Sequence, residues 1–271
     1  MYIKGITMSN KRPAPFVLVS TNHGTMIVNR NDCYTNGNAT YGVGYSIMSN
    51  SEYEWNNVEI ATTILSKSRE FFGDGVIAID CGANIGSLTV SLAKHMHGWG
   101  YIMAFEAQRK IFYALAGNLI INNCLNADAH HFALGSEPGF ITIPEPNYTI
   151  NSSFGSLELR QTENSEYIGQ DVSQNQTTIQ LITIDSLNLS RLDLIKIDVE
   201  GMEFDVLHGA KNTILTHKPA IIIEYIKNDP QELINYLQSL GYILFPLERD
   251  FLAIHSTSAI MPFFRVEEAR V

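Results

Sequence analysis

The 271-residue sequence is poor in cysteine and in positive charge, and both shortages exclude classes of protein. Its three cysteines, Cys33, Cys81 and Cys124, are far apart and form no Cys-x-x-Cys pair. This argues against a disulfide framework and predicts a reducing, cytoplasmic location. Lys and Arg number 18 against 28 Asp and Glu, so the net charge is −10. Binding of nucleic acid needs a concentrated positive surface, and we expect no nucleic acid partner.

Long apolar runs are also missing. The longest lies near residues 219–226, far short of the ~20 residues that a membrane helix needs. The first 16 residues lack the continuous apolar stretch of a secretory signal. We therefore predict neither a membrane span nor a leader. With 45% hydrophobic residues, the chain can form one large α/β domain with an extension, or two small domains.

From residue 75 onward, short apolar runs alternate with stretches of helical periodicity. This alternation predicts a parallel sheet covered by helices on both faces, with ligands at the carboxyl ends of the strands. A final pair of runs, "YILFPL" and "DFLAIH", predicts a closing hairpin. The predicted parallel strands are residues 76–81, 101–106, 129–134, 193–198 and 220–225.

Two regions break the alternation and set the predicted domain bounds. Residues 1–74 form an N-terminal extension or cap, with a helix expected around 55–72. The main domain spans 75–256, and residues 257–271 form a tail. A polar insert at 136–182 is too long for a structureless loop, so we expect a β-hairpin or lid there.

A glycine turn follows the first predicted strand. The order Asp80, Gly82, Asn84, Gly86 lacks the middle glycine of the Gly-x-Gly-x-x-Gly nicotinamide fingerprint. The turn therefore favours a ligand without a pyrophosphate. A helix expected to begin near Ile85 offers free N–H groups to a carboxylate.

An acidic residue ends the second predicted strand. Glu106 lies 26 residues after Asp80 and can accept hydrogen bonds from two ribose hydroxyls. The alternative is that the glycines only shape a turn and that Glu106 is a solvated strand end.

A second acidic motif, "KIDVEGMEFD", places Asp198 and Glu200 after the fourth predicted strand. Either carboxylate can take a proton from an attacking hydroxyl. Together with Glu224 the two can form a three-oxygen site for a divalent cation, although we predict no metal. Glu200 can instead cap a helix that starts near Gly201. Lys196 is interpreted as structural.

These motifs resemble one family when taken together. "IDCGANIG", "AFEAQ", "NLIINN", "ITIDSL" and "DLIKIDVEGMEFDVLHGA" are similar to the FkbM family of class I S-adenosylmethionine-dependent methyltransferases. The resemblance covers roughly residues 52–256. It implies an α/β, Rossmann-like fold with a seven-stranded, mostly parallel sheet, helices on both faces and a C-terminal β-hairpin. It also implies methyl transfer, usually to a hydroxyl on a sugar or natural product.

The resemblance implies residue roles as well. Glu106 would bind the ribose, and the glycine turn would surround the methionine part of the cofactor. Asp198 and Glu200 are the predicted catalytic residues, because the fourth strand of this fold ends facing the methyl group. The family commonly has Pro after the acid of the second strand, where this chain has Ala107-Gln108. The implied cofactor-binding residues are Asp80, Gly82, Ala83, Asn84, Gly86, Glu106, Ala107, Ala133 and Leu134, with Gly135 beside them.

Several alternatives stay open at this point. A nicotinamide-dependent oxidoreductase and a non-catalytic cofactor-binding module are the rival functions. Tyr53 and Glu59 are candidates for contacting the cofactor's amino group, or else belong to a surface helix. The acceptor, a small molecule or a glycan, and a homo-oligomeric state are not specified by the sequence.

Overall fold

A computed structural model describes residues 13–264, which contain fourteen β-strands and seven α-helices. The strands are β1 Phe16–Thr21, β2 Gly24–Asn29, β3 Tyr34–Asn36, β4 Ala39–Tyr41, β5 Val76–Cys81, β6 Gly100–Phe105, β7 Ala127–His130, β8 Ala133–Leu134, β9 Gly139–Pro144, β10 Gln176–Ile182, β11 Leu194–Ile197, β12 Ala220–Glu224, β13 Tyr242–Pro246 and β14 Asp250–His255. The helices are α1 Val43–Asn50, α2 Trp55–Phe72, α3 Ser87–His95, α4 Arg109–Ile121, α5 Glu203–Gly209, α6 Lys211–His217 and α7 Pro230–Ser239.

Seven strands form the central sheet in the order β13-β14-β12-β11-β5-β6-β7. The five strands from β12 to β7 are mutually parallel, whereas β14 runs antiparallel to both of its neighbours. The expected seven-stranded Rossmann-like sheet and its closing hairpin are confirmed.

Alternate residues of each strand point to opposite sides of the sheet. Because apolar side chains lie on both sides, helices cover both faces. In β5, Ala78 belongs to the core beneath α2, α3 and α4, and Ile79 belongs to the core beneath α5, α6 and α7. Every residue of β11 and β12 is buried, as expected of central strands covered on both faces.

Helix α7 shows how local sequence sets an element's ends. The Asp229 carboxylate accepts a hydrogen bond from the Gln231 N–H, and Pro230 occupies the first turn. Gly241 follows the helix with a φ of +88°, a conformation that glycine adopts without strain. The predicted start and stop of this helix agree with the structure.

The third predicted strand, 129–134, is wrong as a single element. The main-sheet strand β7 ends at His130, and β8 pairs in parallel with β10 in a separate three-stranded sheet. Both pieces are short and partly apolar, so hydrophobic pattern alone cannot assign them to different sheets. The insert contains the expected hairpin, formed by β9 and β10, but residues 153–159 form no strand.

The N-terminal region forms a hairpin, β1–β2, that packs against α4. The buried Asn118 side chain joins the two, donating to the carbonyl oxygens of Ile27 and Ile85 at 3.2 and 2.8 Å. Helix α2 coincides with the predicted 55–72 helix. Within residues 13–264, none of the helices combines the length and the hydrophobicity of a bilayer span. The leader prediction and the end of the predicted tail fall on residues 1–12 and 265–271, outside the described residues.

Candidate active site

A cavity of about 560 Å³ lies at the carboxyl ends of β5, β6, β11 and β12. Its walls come from the sheet edge, from N-terminal residues such as Tyr41 and Tyr53, and from insert residues such as Ser156 and Leu159. This is the edge where open α/β sheets bind ligands, and the volume is typical of small-molecule sites.

The glycine turn needs its glycines for two different reasons. Gly82 has a φ of +79°, and a Cβ there would collide with the backbone carbonyl oxygen of Asp198. Gly86 has a φ of +84°, and a Cβ there would lie 2.5 Å from Leu115 Cδ1. Gly82 lines the cavity, whereas Gly86 does not and instead permits close packing of α3 against α4.

Asn84 takes the position where the nicotinamide fingerprint has a glycine. Its φ is +50°, and its Oδ1 accepts a hydrogen bond from the Ile85 N–H at 2.8 Å. Asparagine is among the few residues that adopt this conformation readily. Because the turn extends through Gly86, α3 begins at Ser87, and the predicted start near Ile85 is wrong by two residues.

Glu106 connects the glycine turn to the end of β6. Its Oε2 accepts from the Asn84 N–H at 3.0 Å, and its Oε1 accepts from the Gln108 N–H at 2.6 Å. The residue is only 6% exposed, and this burial raises the pKa of its carboxyl to about 7. Glu106 is therefore not a solvated strand end.

The remaining predicted cofactor residues also lie at the cavity. Ala83, Ala107, Ala133 and Leu134 contribute apolar wall. Asp80 is buried beneath the turn and accepts a hydrogen bond from Thr89 Oγ1 at 2.5 Å, and burial raises the pKa of its carboxyl to about 6.

Three carboxylates meet at the ends of β11 and β12, at the wall of the same cavity. Asp198 follows β11 and Glu224 ends β12, and the pairing of Ile197 with Ile223 brings these strand ends side by side. With Glu200, each residue offers one carboxylate oxygen within 4.8 Å of the others. Burial, followed by the charges of neighbouring carboxylates, raises the pKa of Glu200 well above its usual range and that of Glu224 to about 8.

Glu200 does not cap the following helix. Helix α5 begins at Glu203, and the buried carboxylate of Glu203 accepts the N–H groups of Val199 and Gly201 at 3.1 Å. Glu200 itself has a φ of +51°, a strained conformation for a non-glycine residue, and its side chain faces the cavity. The structure therefore does not support the alternative in which Glu200 caps this helix, and Glu203 instead fixes the loop that precedes it.

Cationic side chains surround the carboxylates, and sequence analysis did not assign them to the site. Lys196 Nζ lies 3.0 Å from Asp250 Oδ1 and 3.3 Å from Asp198 Oδ2, and its side chain is 3% exposed. A buried ammonium requires a charged partner, so the lysine within the apolar run "LIKI" was the signal for this arrangement. Arg249 and Lys227 also line the cavity.

Of the two N-terminal candidates for contacting the cofactor, one lies at the cavity and the other does not. Tyr53 lines the cavity, as does its neighbour Glu54. Glu59 is exposed, does not line the cavity, and accepts a hydrogen bond from Trp55 Nε1 at 3.2 Å.

Comparison with protein families agrees with this arrangement. Residues 80–244, more than half of the chain, match the family described as the Methyltransferase FkbM domain. The chain therefore belongs to the FkbM methyltransferase family.

Individual relatives are more distant. The chain is similar to Methyltransferase 1 of Beauveria bassiana (strain ARSEF 2860), 29% identical over 150 residues, 51% of this chain and 59% of that protein. It also resembles the Methyltransferase FkbM structure from Methylobacillus flagellatus KT, with 20% identity and a TM-score of 0.48 over 67% of this chain and 43% of that one. A Pyrococcus abyssi tRNA (uracil-54, C5)-methyltransferase in complex with S-adenosyl-L-homocysteine gives 11% identity and a TM-score of 0.42 over 90% and 44% of the two chains. The chain thus spans less than two thirds of each of these relatives.

Proposed function

We propose that this protein transfers a methyl group from S-adenosylmethionine to a hydroxyl of a small-molecule or glycan acceptor. The observation that carries the proposal is the position of Glu106, a buried carboxylate bonded to the glycine turn and facing the same cavity as Asp198 and Glu200. Family membership supports the methyltransferase class.

The cofactor residues fit a nucleoside. A carboxylate has about four lone-pair sites, and the amides of Asn84 and Gln108 use two of those on Glu106. Two remain for ribose hydroxyls. Ala107, Ala133 and Leu134 provide an apolar surface for adenine, and the turn from Gly82 to Asn84 would hold the methionine part.

The acceptor side of the cavity provides proton acceptors. S-adenosylmethionine supplies a methyl group on a cationic sulfur, which becomes a neutral thioether on transfer. Aliphatic hydroxyls are weak acids, so a base must accept the proton as the oxygen attacks. Asp198 and Glu200 are our proposed bases, and a negative charge on Asp198 also favours the cationic cofactor over its neutral product.

The cap and the insert enclose this chemistry. Gln108 Nε2 donates to the Phe154 carbonyl oxygen at 2.8 Å, which joins the cofactor side to the insert. The buried Asp32 carboxylate accepts the N–H of Phe154 at 3.0 Å and that of Gly44 at 2.9 Å, which joins insert to cap. We propose that the acceptor enters between these elements and that their enclosure excludes water from the reacting atoms.

Calorimetry with S-adenosylhomocysteine tests the cofactor. Glu106→Ala should weaken binding by about 10- to 100-fold, the equivalent of losing charged hydrogen bonds. The exposed Glu70→Ala is the control and should bind normally. Thermal stabilisation by a nicotinamide dinucleotide but not by S-adenosylhomocysteine would overturn the proposal in favour of an oxidoreductase.

Turnover tests the acceptor side. With a panel of hydroxylated acceptors and S-adenosylhomocysteine release as the signal, Asp198→Asn should lower the rate by about 10²- to 10⁴-fold while cofactor affinity stays near normal. An unchanged rate would show that Asp198 is not the base. Cofactor binding without turnover on any acceptor would favour the non-catalytic binding module.

A further inference from the structure

We infer that Asp198, Glu200 and Glu224 together bind one divalent cation that prefers oxygen ligands, such as Mg²⁺, Mn²⁺ or Ca²⁺. Binding of the ion does not depend on methyl transfer. Its role toward the acceptor rests on the function proposed above.

The first support is the spacing of the three carboxylates. One oxygen of each lies within 4.8 Å of the other two. Two ligands of the same ion can be separated by at most twice the metal–oxygen distance, about 4.2 Å for Mg²⁺ and about 5 Å for Ca²⁺. The spacing is therefore close to what Ca²⁺ needs, and the smaller Mg²⁺ or Mn²⁺ would need the three carboxylates to move closer together.

The second support is that two of these carboxylates have oxygens without hydrogen-bond partners. Among the described residues, Glu200 Oε2 and Glu224 Oε2 are buried and bonded to no donor. The Glu224 side chain is only 6% exposed. A buried carboxylate oxygen without a partner is costly, and a cation between the two would satisfy both.

The neighbouring lysine ammonium groups do not form hydrogen bonds with these two carboxylate oxygens. Lys196 lies closer to Asp250, at 3.0 Å, than to Asp198. Lys227 Nζ lies 2.5 Å from Glu166 and 3.6 Å from Glu200 Oε2, so it forms a loose ion pair with Glu200 but no hydrogen bond to that oxygen.

Arg249 leaves one oxygen of Glu224 unpartnered. Its Nη2 contacts Glu224 Oε1 at 3.2 Å, so Oε2 stays unbonded among the described residues. Among the described residues, the protein's own cations thus leave one oxygen of Glu224 and one of Glu200 without a hydrogen bond.

A cation at this position would assist the proposed reaction. Mg²⁺ takes six ligands, so three carboxylate oxygens leave three positions for water or acceptor oxygens. An acceptor with two adjacent oxygens would fit such an ion, and its metal-polarised hydroxyl would pass its proton to the Asp198 oxygen that does not bind the ion as the methyl group is transferred. Such a site would favour an acceptor that binds the ion through two oxygens, such as a vicinal diol or a hydroxy-carbonyl compound.

Titration of the full chain with Mn²⁺, followed by the loss of the free-ion electron paramagnetic resonance signal, tests the site. We expect one ion per chain for the wild type. Glu224→Gln and Asp198→Asn should each raise the dissociation constant by at least about tenfold. The matched carboxylate-to-amide control, Glu70→Gln on the exposed face of α2, should bind like the wild type. Mg²⁺ and Ca²⁺ should displace the bound Mn²⁺.

The outcomes are decisive in both directions. Circular dichroism of each variant without metal checks folding, and Glu200→Gln takes over the test if Glu224→Gln fails to fold. Absence of saturable binding up to about 10 mM Mn²⁺, beyond the weakest biological calcium sites, would overturn the inference. Unchanged affinity in both cluster variants would do the same.

Titration of the same samples with S-adenosylhomocysteine separates the two proposals. Cofactor binding without metal binding overturns only the cation site. Metal binding without cofactor binding contradicts the proposed function and supports the cation site.

Discussion

Replacing Gly82 with alanine should break the close contact between the glycine turn and the acidic segment. At a φ of +79°, any L-side chain costs about 1–2 kcal/mol. The added Cβ would also collide with the Asp198 carbonyl oxygen, a backbone atom that cannot rotate away. Overpacking of this kind costs about 1–3 kcal/mol, so the free energy of unfolding should fall by about 2–5 kcal/mol in all.

Gly98 offers a matched control for this substitution. Its φ is +81°, and a Cβ there would meet nothing within 4 Å. Gly98→Ala should therefore lose only the conformational part, about 1–2 kcal/mol. Urea denaturation of both variants at one pH gives the difference, and the Gly82 variant alone should weaken S-adenosylhomocysteine binding. If the two losses agree within about 0.5 kcal/mol, the collision with Asp198 is refuted.

Three further substitutions test the site's physical chemistry. Asn84→Gly should preserve the free energy of unfolding within about 1 kcal/mol. Asn84→Val should lower it by more, because a β-branched residue is strained at a φ of +50°. Equal losses of unfolding free energy in urea denaturation would contradict this. Burial raises the pKa of Asp80 to about 6, so its contribution to stability is full below pH 3.8 and is lost as the pH rises through 6. Asp80→Asn should therefore gain up to ~3 kcal/mol relative to the wild type across that interval, and a pH-independent difference in denaturation would refute the shift. Lys196→Met should cost about 3–5 kcal/mol by leaving buried carboxylates unpaired, and adding Asp250→Asn should restore part of it; strictly additive losses would show that the pair is not coupled.

Much of the fold could be predicted because its signals are local. The signals for three elements each depend on residues near one another in sequence. They are the apolar run at 220–223 in β12, the Asp229-Pro230 start of α7 and the helical periodicity of 55–72. The third strand could not be bounded in the same way. Whether residues 133–134 pair with β7's neighbours or with β10 is decided by contacts with Leu181 and Ile182, far along the chain.

The candidate site likewise contains residues that the sequence could place and residues that it could not. The carboxyl-end rule for parallel strands was enough to place Asp80, Glu106, Asp198 and Glu224 at one edge of the sheet. The sequence could not show why residue 82 must be glycine. The cause is a close contact with the backbone of Asp198, which is far away along the chain.

The cationic side chains near the three carboxylates were not predicted, for a related reason. Arg249 and Lys227 follow strands whose neighbours in the sheet are set by topology, and no local motif marks them. The loop contacts of Glu203 were not predicted, because the helix begins two residues later than the motif indicates.

A crystal structure of the chain with S-adenosylhomocysteine is the most direct test of the account. Both ribose hydroxyls should lie within hydrogen-bond distance of the Glu106 carboxylate, and the sulfur should face Asp198 across the cavity. A nucleoside bound away from the ends of β5 and β6, or bound there with its sugar turned from Glu106, would contradict the proposed cofactor site.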